Sequence, residues 1–251
     1  MKRYILILLS LLAMISCHRI KDGEHVIHIL TTNDVHGRYF DSLYVDNSTR
    51  PSLLSVSAYV DSLRTVWGED NVVLIDAGDC LQGDNASFYY NFIDTVSTHL
   101  YARMVDYIGY DAVVVGNHDI ETGHPVYDRV RKDMKTPLLA ANAIDEGTGK
   151  SYFEDYVILR KGGVKVAVIG FTNANIRNWL SPELWSGMDF KSLIPFAQEL
   201  VDKVRKDEKP DVVIVATHSG VGSGDGSLLE GQGMDLFNSL SGVDFVICAH
   251  D

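Results

Sequence analysis

The sequence predicts an α/β protein whose strands are buried on both faces and alternate with amphipathic helices. Near-continuous Val and Ile content is typical of strands that are covered on both faces. The chain of 251 residues is long enough for one large domain of this class. The apolar runs predicted to be strands are Val26–Thr32, Val72–Asp76, Ala112–Val115, Val164–Phe171, Val212–Thr217 and Phe245–Cys248.

Between these strands, apolar residues recur at helical spacing and predict two helices. Pro51 stands near the start of the first helix, where its missing N–H is not needed, and Pro210 follows the end of the second. The apolar stripes are Leu53, Val56, Val60 and Leu63 in the first helix, and Leu193, Ala197, Leu200 and Val204 in the second.

Two stretches without such a period are predicted to be surface loops. Residues 173–190 contain Trp179 and Trp185, and residues 219–233 are rich in Gly and Ser. We expect the two tryptophans to pack beneath their loop, and an aromatic contact with a substrate is the alternative.

Composition and charge exclude several classes of protein. Hydrophobic residues make up 46% and charged residues 22%, which is ordinary for a globular protein and excludes a disordered chain or a collagen. The 34 acidic and 22 basic residues give a formal charge of −12, which would repel a nucleic-acid duplex. Acidic chains still bind anions where metal ions reverse the local charge.

The first seventeen residues have the features of an export signal. Lys2 and Arg3 precede the apolar run Tyr4–Ile15, which is short for a membrane span, and Ser16-Cys17 resembles a site of lipid attachment. The sequence therefore predicts a protein of the cell envelope, periplasmic or anchored through Cys17, with no other contact with the membrane. A buried first strand or helix is the alternative.

If Cys17 carries a lipid, Cys80 and Cys248 remain. An oxidising compartment would permit a disulfide between them, and burial as two small apolar residues is the other interpretation.

Polar residues cluster where five of the apolar runs end. In α/β sheets ligands bind at the carboxyl ends of the strands, so these five clusters are predicted to meet at one edge. The clusters occupy residues 31–37, 76–83, 116–119, 217–220 and 249–251.

These clusters supply the ligands that hard and borderline divalent metals prefer. Carboxylates and imidazoles suit Zn, Mn, Fe or Co, whereas the lack of a Cys pair argues against a structural zinc site. Asp34 and His36 are two residues apart, so an extended segment would direct both towards one ion. A single Asp after a strand is usually a helix cap or a turn residue, but five such clusters together indicate a metal centre.

The motifs resemble those of the calcineurin-like metallophosphoesterase superfamily and, within it, the 5′-nucleotidase / 2′,3′-cyclic phosphodiesterase family. The stretch 31–37, Thr-Thr-Asn-Asp-Val-His-Gly, is the specific marker of the nucleotidase branch. The other matches follow in the family's order: Gly78-Asp79 with Gln82-Gly83, Gly116-Asn117-His118-Asp119, Thr217-His218 and Ala249-His250.

The resemblance implies a four-layer α/β/β/α fold over residues 25–251, in which a core of two sheets is flanked by helices. It also implies the ligands of two metal ions. Asp34 and His36 would hold the first ion, Asp79 would bridge both, and Asn117, His218 and His250 would complete the second. His118 would act on the phosphate as the catalytic residue.

The family usually has Glu after the motif His and, two residues later, an Asp that orients this His. Here these positions are Asp119 and Glu121, so Glu121 is predicted to take the orienting role. The family's last metal ligand, a His or Gln, would follow Asp251, where the chain ends. The family's second, substrate-binding domain would also lie beyond this point.

The function implied is hydrolysis of nucleotide phosphate esters by water that two divalent ions (Zn, Mn, Co or Fe) activate. The partner is then a nucleotide or another small phosphate ester. A 2′,3′-cyclic nucleotide phosphodiesterase, another phosphoesterase, and an inactive metal-binding lipoprotein remain as alternatives.

Overall fold

The computed structural model describes residues 23–42 and 48–251, so the predicted export signal with Cys17 lies outside the described residues. The strands are β1 His28–Thr32, β2 Val72–Asp76, β3 Ala112–Val114, β4 Leu138–Leu139, β5 Ala143–Asp145, β6 Tyr156–Lys161, β7 Val164–Phe171, β8 Met188–Phe190, β9 Val212–Thr217 and β10 Phe245–Cys248. The α-helices are α1 Leu53–Trp67, α2 Asn85–Phe88, α3 Leu100–Ile108, α4 Asn117–Glu121, α5 His124–Asp133, α6 Ile176–Trp179, α7 Leu193–Asp207 and α8 Gly233–Ser239.

Two four-stranded sheets form the centre of the molecule. The first is all parallel in the order β1-β2-β3-β4. The second has the order β10-β9-β7-β6, in which only the β6–β7 pair is antiparallel. A two-stranded antiparallel sheet of β5 and β8 lies apart from both. Parallel strands end at the same edge of a sheet, so β1, β2 and β3 deliver their loops together, as do β9 and β10.

Alternating side chains divide the interior into three apolar layers. On β7, Val166 and Val168 face the layer between the sheets, whereas Ala167 and Ile169 pack with α7 and α8. The third layer joins Leu74 of β2 to helices α1, α3 and α5. Three apolar layers separate four layers of secondary structure, so the predicted α/β/β/α fold is confirmed. The predicted burial on both faces holds for the internal strands β2, β3, β7 and β9, whereas the edge strands β1 and β10 are only partly buried.

The two helices predicted from apolar stripes are confirmed as α1 and α7. Leu193, Ala197, Leu200 and Val204 are all buried on α7. Helix α1 begins after Ser52, whose hydroxyl oxygen accepts hydrogen bonds from the backbone N–H groups of Leu54 and Ser55. Within the described ranges, no helix is long and apolar enough to cross a membrane.

The structure corrects the prediction for residues 173–190. This stretch is not an irregular loop, because it contains α6, a 3₁₀ turn at Pro182–Trp185, and strand β8. These elements are too short to show a period in the sequence. The first predicted strand is also two residues too long, because pairing with β2 begins at His28 and Val26 is 53% exposed. The third strand was predicted to reach Val115 but ends one residue earlier in the structure, at Val114.

Candidate metal centre

The five polar clusters meet at one edge of the two sheets, as predicted. Side chains from four of the clusters form two overlapping groups, each with ligand atoms within 4.8 Å of one another. Half-site A comprises Asp34, His36 and Asp79, and half-site B comprises Asp79, His218 and His250. Asp79 belongs to both groups, which is the placement that a bridging carboxylate requires.

The backbone at these residues is strained. Asp34, His36, Asp79 and His250 have φ values of 52°, 48°, 62° and 81°, and among the described non-glycine residues only Lys209 shares this left-handed region. Each such conformation costs of order 1–3 kcal/mol and recurs at functional sites. The extended segment predicted at residues 34–36 is therefore wrong, although His36 Nε2 still lies 3.8 Å from Asp34 Oδ1.

Hydrogen bonds between the loops that follow β1 and β2 hold this strained backbone. The N–H groups of Asp34, His36 and Gly37 donate to the carbonyls of Gly78, Asp79 and Cys80 at 2.9, 2.9 and 3.1 Å. The two loops thus continue the pairing of β1 with β2 beyond the strands. This pairing fixes half-site A against the shared Asp79.

Gly116 allows the loop after β3 to approach Asp79 closely. A Cβ atom at this position would collide with Asp79 Oδ1, so no other residue fits without displacing the carboxylate. The next residues, Asn117 and His118, begin helix α4. The N–H of His118 donates to Asp79 Oδ1 at 2.8 Å, so α4 also holds the shared carboxylate in place.

The His218 imidazole is buried between the sheets with a fixed orientation. Its Nδ1 lies 2.7 Å from the carbonyl oxygen of Ala77, to which it donates, and its Nε2 lies 2.9 Å from Asp79 Oδ2. Burial lowers the pKa of His218, but the hydrogen bond and charge of Asp79 outweigh it and raise this pKa to about 9. A metal ion at Nε2 would replace the proton that the carboxylate now favours there.

His118 and Glu121 form the pair that the sequence predicts. His118 Nδ1 lies 2.5 Å from Glu121 Oε2, and the His118 ring meets the His36 ring edge-on with centroids 5.4 Å apart. The longer Glu side chain therefore reaches the imidazole from a position three residues along one turn of helix. With Nδ1 held in this way, Nε2 is the nitrogen available to a substrate.

Asp119 has a role that sequence reasoning missed. Its buried carboxylate accepts hydrogen bonds from the N–H groups of Gly116, Asp79, Cys80 and Leu81 at 2.8 to 3.0 Å. Burial and the nearby charge of Asp79 raise the pKa of Asp119. The carboxylate thus ties the loop after β2 to the loop after β3. Its position next to His118 in the motif was the only signal in the sequence.

Asp76 and Cys80 lie behind the candidate ligands. Asp76 accepts hydrogen bonds from Thr32 Oγ1 and the Gly78 N–H at 2.5 and 2.9 Å, and burial raises its pKa to about 7. The Cys80 thiol donates to the same carboxylate. Cys80 and Cys248 are both free in the structure, so they do not form the permitted disulfide.

Two buried polar atoms test whether the site suits metal ions. Within the described part of the chain, Asn117 Oδ1 has no hydrogen-bond partner, and His218 Nε2 faces Asp79 Oδ2 at 2.9 Å. Buried polar atoms are rarely left unpaired, and such exceptions mark ion-binding or functional groups. Both atoms are oxygen or nitrogen donors of the kinds that divalent metals bind, so the residues fit a metal centre.

Comparisons of sequence agree with this geometry. The calcineurin-like phosphoesterase family model matches residues 27–251. The 5′-nucleotidase of Vibrio cholerae is 32% identical over 201 residues, 79% of this chain and 34% of that relative. The trifunctional nucleotide phosphoesterase protein YfkN of Bacillus subtilis is 28% identical over 265 aligned residues, 98% of this chain and 18% of that relative. The chain thus spans about a third or less of the length of these curated relatives.

Comparison of structures gives the same result. The crystal structure of the calcineurin-like phosphoesterase YfkN from Bacillus subtilis superposes with a TM-score of 0.78 at 26% identity. The superposition covers 90% of this chain and 72% of that one. The family match includes every candidate ligand from Asp34 to His250, in the order along the chain that brings them to one edge. The chain belongs to the calcineurin-like phosphoesterase family.

Proposed function

We propose that this protein is a phosphoesterase that uses two divalent metal ions to hydrolyse nucleotide phosphate esters, as a 5′-nucleotidase does. The observation that carries the proposal is the pair of half-sites that share Asp79. Nucleotides are the proposed substrate class because the matched relatives are named 5′-nucleotidase and nucleotide phosphoesterase. We also propose that residues 25–251 form the metallophosphatase domain.

In this proposal Asp34 and His36 would hold one ion, His218, His250 and Asn117 would hold the other, and Asp79 would contribute to both. The ions, which we expect to be Zn, Mn, Co or Fe, would activate a water molecule and neutralise charge on the phosphoryl group. Asn117 contributes a neutral oxygen, which limits the negative charge that a phosphate ester meets. The unpaired Oδ1 of Asn117 supports this role.

His118 acts on the ester and Glu121 positions it. Glu121 accepts the hydrogen bond from Nδ1–H, which leaves Nε2 directed away from the carboxylate. His118 is 36% exposed, so its Nε2 is accessible to a substrate above the ligands. From this position the imidazole protonates the leaving oxygen or stabilises negative charge on the phosphoryl oxygens.

A cavity beside half-site A would accommodate the leaving group of the ester. This cavity has a volume of about 500 Å³ and is lined by Asp34, His36, Arg38, Pro51 and Val56, among others. A volume of this size suits a small organic ligand. The apolar side chains offer contact area, and Arg38 supplies positive charge in an otherwise acidic protein.

The test is hydrolysis by protein that has been freed of metal and reloaded with single metals. We expect phosphate release from 5′-nucleotides, restored by at least one of Zn, Mn, Co and Fe and absent without metal. Release from 2′,3′-cyclic nucleotides alone would favour the cyclic phosphodiesterase. Two bound ions without hydrolysis of any ester in the panel would favour the non-catalytic metal-binding protein.

We further propose export to the cell envelope with lipid attachment at Cys17. The support is the basic start, the apolar run and Ser16-Cys17. Mass spectrometry of the envelope fraction should find a mature chain that begins at or near Cys17. A mature protein that retains residues 1–16 contradicts the proposal.

A further inference from the structure

His218 and His250 of half-site B, and His118 of the adjacent helix α4, differ in what fixes the orientation of their rings. Glu121 holds the ring of His118, and the Ala77 carbonyl holds that of His218. Within residues 23–42 and 48–251, neither ring nitrogen of His250 has a hydrogen-bond partner. Metal-binding histidines almost always have such a partner, which sets the orientation of the ring.

His250 has an aromatic neighbour instead. The Trp179 ring stacks on the His250 ring with centroids 5.1 Å apart and planes 19° apart. The other ring contact of His250 is edge-on, with His218 at 5.3 Å and 74°. A flat stack on one face and an edge contact with His218 leave the imidazole little freedom to rotate.

The backbone of His250 does not by itself fix the ring. His250 follows β10 with a left-handed backbone, and its N–H lies 3.2 Å from Asp34 Oδ2. These features place the Cα atom, but rotation about the side-chain bonds remains open. The stacked indole is therefore the contact that selects one ring orientation.

Trp179 is itself firmly held. It ends α6, in which Ile176 is fully buried, and it packs against the apolar layer beneath the first sheet. Arg177 ties the same helix to β8 through hydrogen bonds of 2.5 Å to Asp189 and to the Phe190 carbonyl. Packing and these hydrogen bonds thus fix the helix that carries the indole.

We infer that Trp179 is a positioning residue that fixes the His250 imidazole for metal binding at half-site B. The inference rests on the proposed metal centre and adds to it a residue outside the family motifs. Removal of a partner that orients a metal-binding histidine typically weakens metal affinity 10–100-fold. We expect a loss in this range for one ion of the pair.

Trp185 offers a matched control. It lies six residues further along, packs against the same apolar layer, and meets Phe190 edge-on with centroids 5.9 Å apart. Its Nε1–H donates to the Leu180 carbonyl, and it has no ring contact with His250 among the described residues. Trp185→Leu therefore reproduces the loss of a half-buried indole without touching the stack.

The experiment is competition between the protein and a chelating dye for Zn²⁺, in the absence of substrate. We expect Trp179→Leu to lower the affinity for one of the two Zn²⁺ ions about 10–100-fold and to leave the affinity for the other unchanged. Trp179→Phe, which keeps a stacking ring, should recover most of this loss. Trp185→Leu should bind both ions as the parent does.

A double-mutant cycle keeps the test independent of folding effects. In a His250→Ala background, Trp179→Leu should cause no further loss of affinity. Equal loss with and without His250, equal loss in Trp185→Leu, or unchanged affinities in Trp179→Leu would each overturn the inference. Unchanged metal binding with a raised KM for nucleotides would show that Trp179 instead contacts substrate. A parent that binds no metal would refute the proposed function itself.

Discussion

The two half-sites differ in how deeply their ligands are buried. In half-site A, the side chains of His36 and Asp34 are 41% and 22% exposed. In half-site B, those of His218 and Asp79 are 0% and 2% exposed. The difference follows from strand position, because His36 and Asp34 follow the edge strand β1, whereas Asp79 and His218 follow the internal strands β2 and β9. Half-site B thus contains the most deeply buried ligands of the centre.

His250 is the exception that explains the role of Trp179. It follows β10, which is an edge strand of the second sheet, yet it belongs to half-site B. An edge strand leaves one side of its loop without a neighbouring strand, and α6 covers that side with the indole. Internal strands therefore bury a ligand directly, whereas an edge strand needs another element to do so.

The largest expected effect comes from the residue that the half-sites share. Asp79→Ala removes a carboxylate oxygen from each group, and it also leaves His118 N–H and His218 Nε2 without their acceptor. We expect metal content per chain to fall to near zero and hydrolysis to be lost. Elemental analysis of the purified variant measures the first of these.

The control for this variant is Asp61→Ala, which removes an exposed carboxylate of α1 whose side chain is 68% accessible. It should retain two ions per chain. Two ions retained by Asp79→Ala would exclude the bridge and leave the half-sites independent.

The next effect is the loss of one ion. We expect His36→Ala to empty half-site A alone, and graded removal of metal from the parent to proceed in two phases, A before B. Water competes for the exposed ligands of A, whereas the buried ligands of B act in a less polar surrounding that strengthens their interaction with a cation. Chelator titration with elemental analysis measures both phases. In His36→Ala, only the phase that corresponds to the more tightly bound ion should remain. A single phase in the parent would refute the ordering.

A third variant should leave both ions in place. His118→Ala removes the imidazole but keeps the backbone N–H of residue 118, which is the group that donates to Asp79. We expect a rate about 10²–10⁴-fold lower, or roughly 3–5 kcal/mol, at unchanged metal content. The loss of rate should be smaller for nitrophenyl phosphates if His118 protonates the leaving oxygen. Glu121→Gln should lower the rate less than His118→Ala does.

An equal loss across leaving groups would assign His118 to charge stabilisation. Turnover of His118→Ala within about twofold of the parent, with both metals bound, would remove His118 from the catalytic role altogether, since acid–base assistance is worth far more.

The smallest effect concerns stability behind the half-sites. His99 is buried, its Nδ1 accepts from the Tyr101 N–H, and its Nε2 faces Asn91, which donates to the Leu81 carbonyl. Burial lowers the pKa of His99 to about 4. Below its ordinary pKa near 6.5 the unfolded chain binds a proton that the folded chain binds only near pH 4. The free energy of unfolding therefore decreases as the pH is lowered across this window, by at most about 1.4 kcal/mol per pH unit.

Denaturant unfolding from pH 7 to 4 of the parent and of His99→Asn checks this expectation. Asn also caps helices but does not titrate. The stability difference between the two proteins should shrink as pH falls, by roughly 3 kcal/mol in total. A difference that stays constant with pH would show that His99 does not titrate in this window.

The sequence by itself predicted the buried strands and the polar clusters at their ends. Apolar runs predicted the strands because a strand that is buried on both faces needs Val and Ile in succession, as β2 and β7 show. Polar residues after each run located the five clusters, because a parallel sheet gathers its carboxyl ends at one edge. The resemblance of the motifs to a known family implied the four layers of the fold and, within the clusters, Asp34, His36, Asp79, Asn117, His118, His218 and His250. Their roles as ligands and catalyst remain predictions.

Only the tertiary structure decided how these residues are held. The left-handed backbone of Asp34 and His36 depends on hydrogen bonds to carbonyls more than 40 residues away, and no local pattern encodes it. The hydrogen bonds that the Asp119 carboxylate accepts, and the stack of Trp179 on His250, likewise join distant segments. Short elements such as α6 and β8 have no period of their own, so packing against the rest of the chain fixes their conformation. Residue types recur in local patterns, whereas orientation arises from contacts that form only when the chain folds.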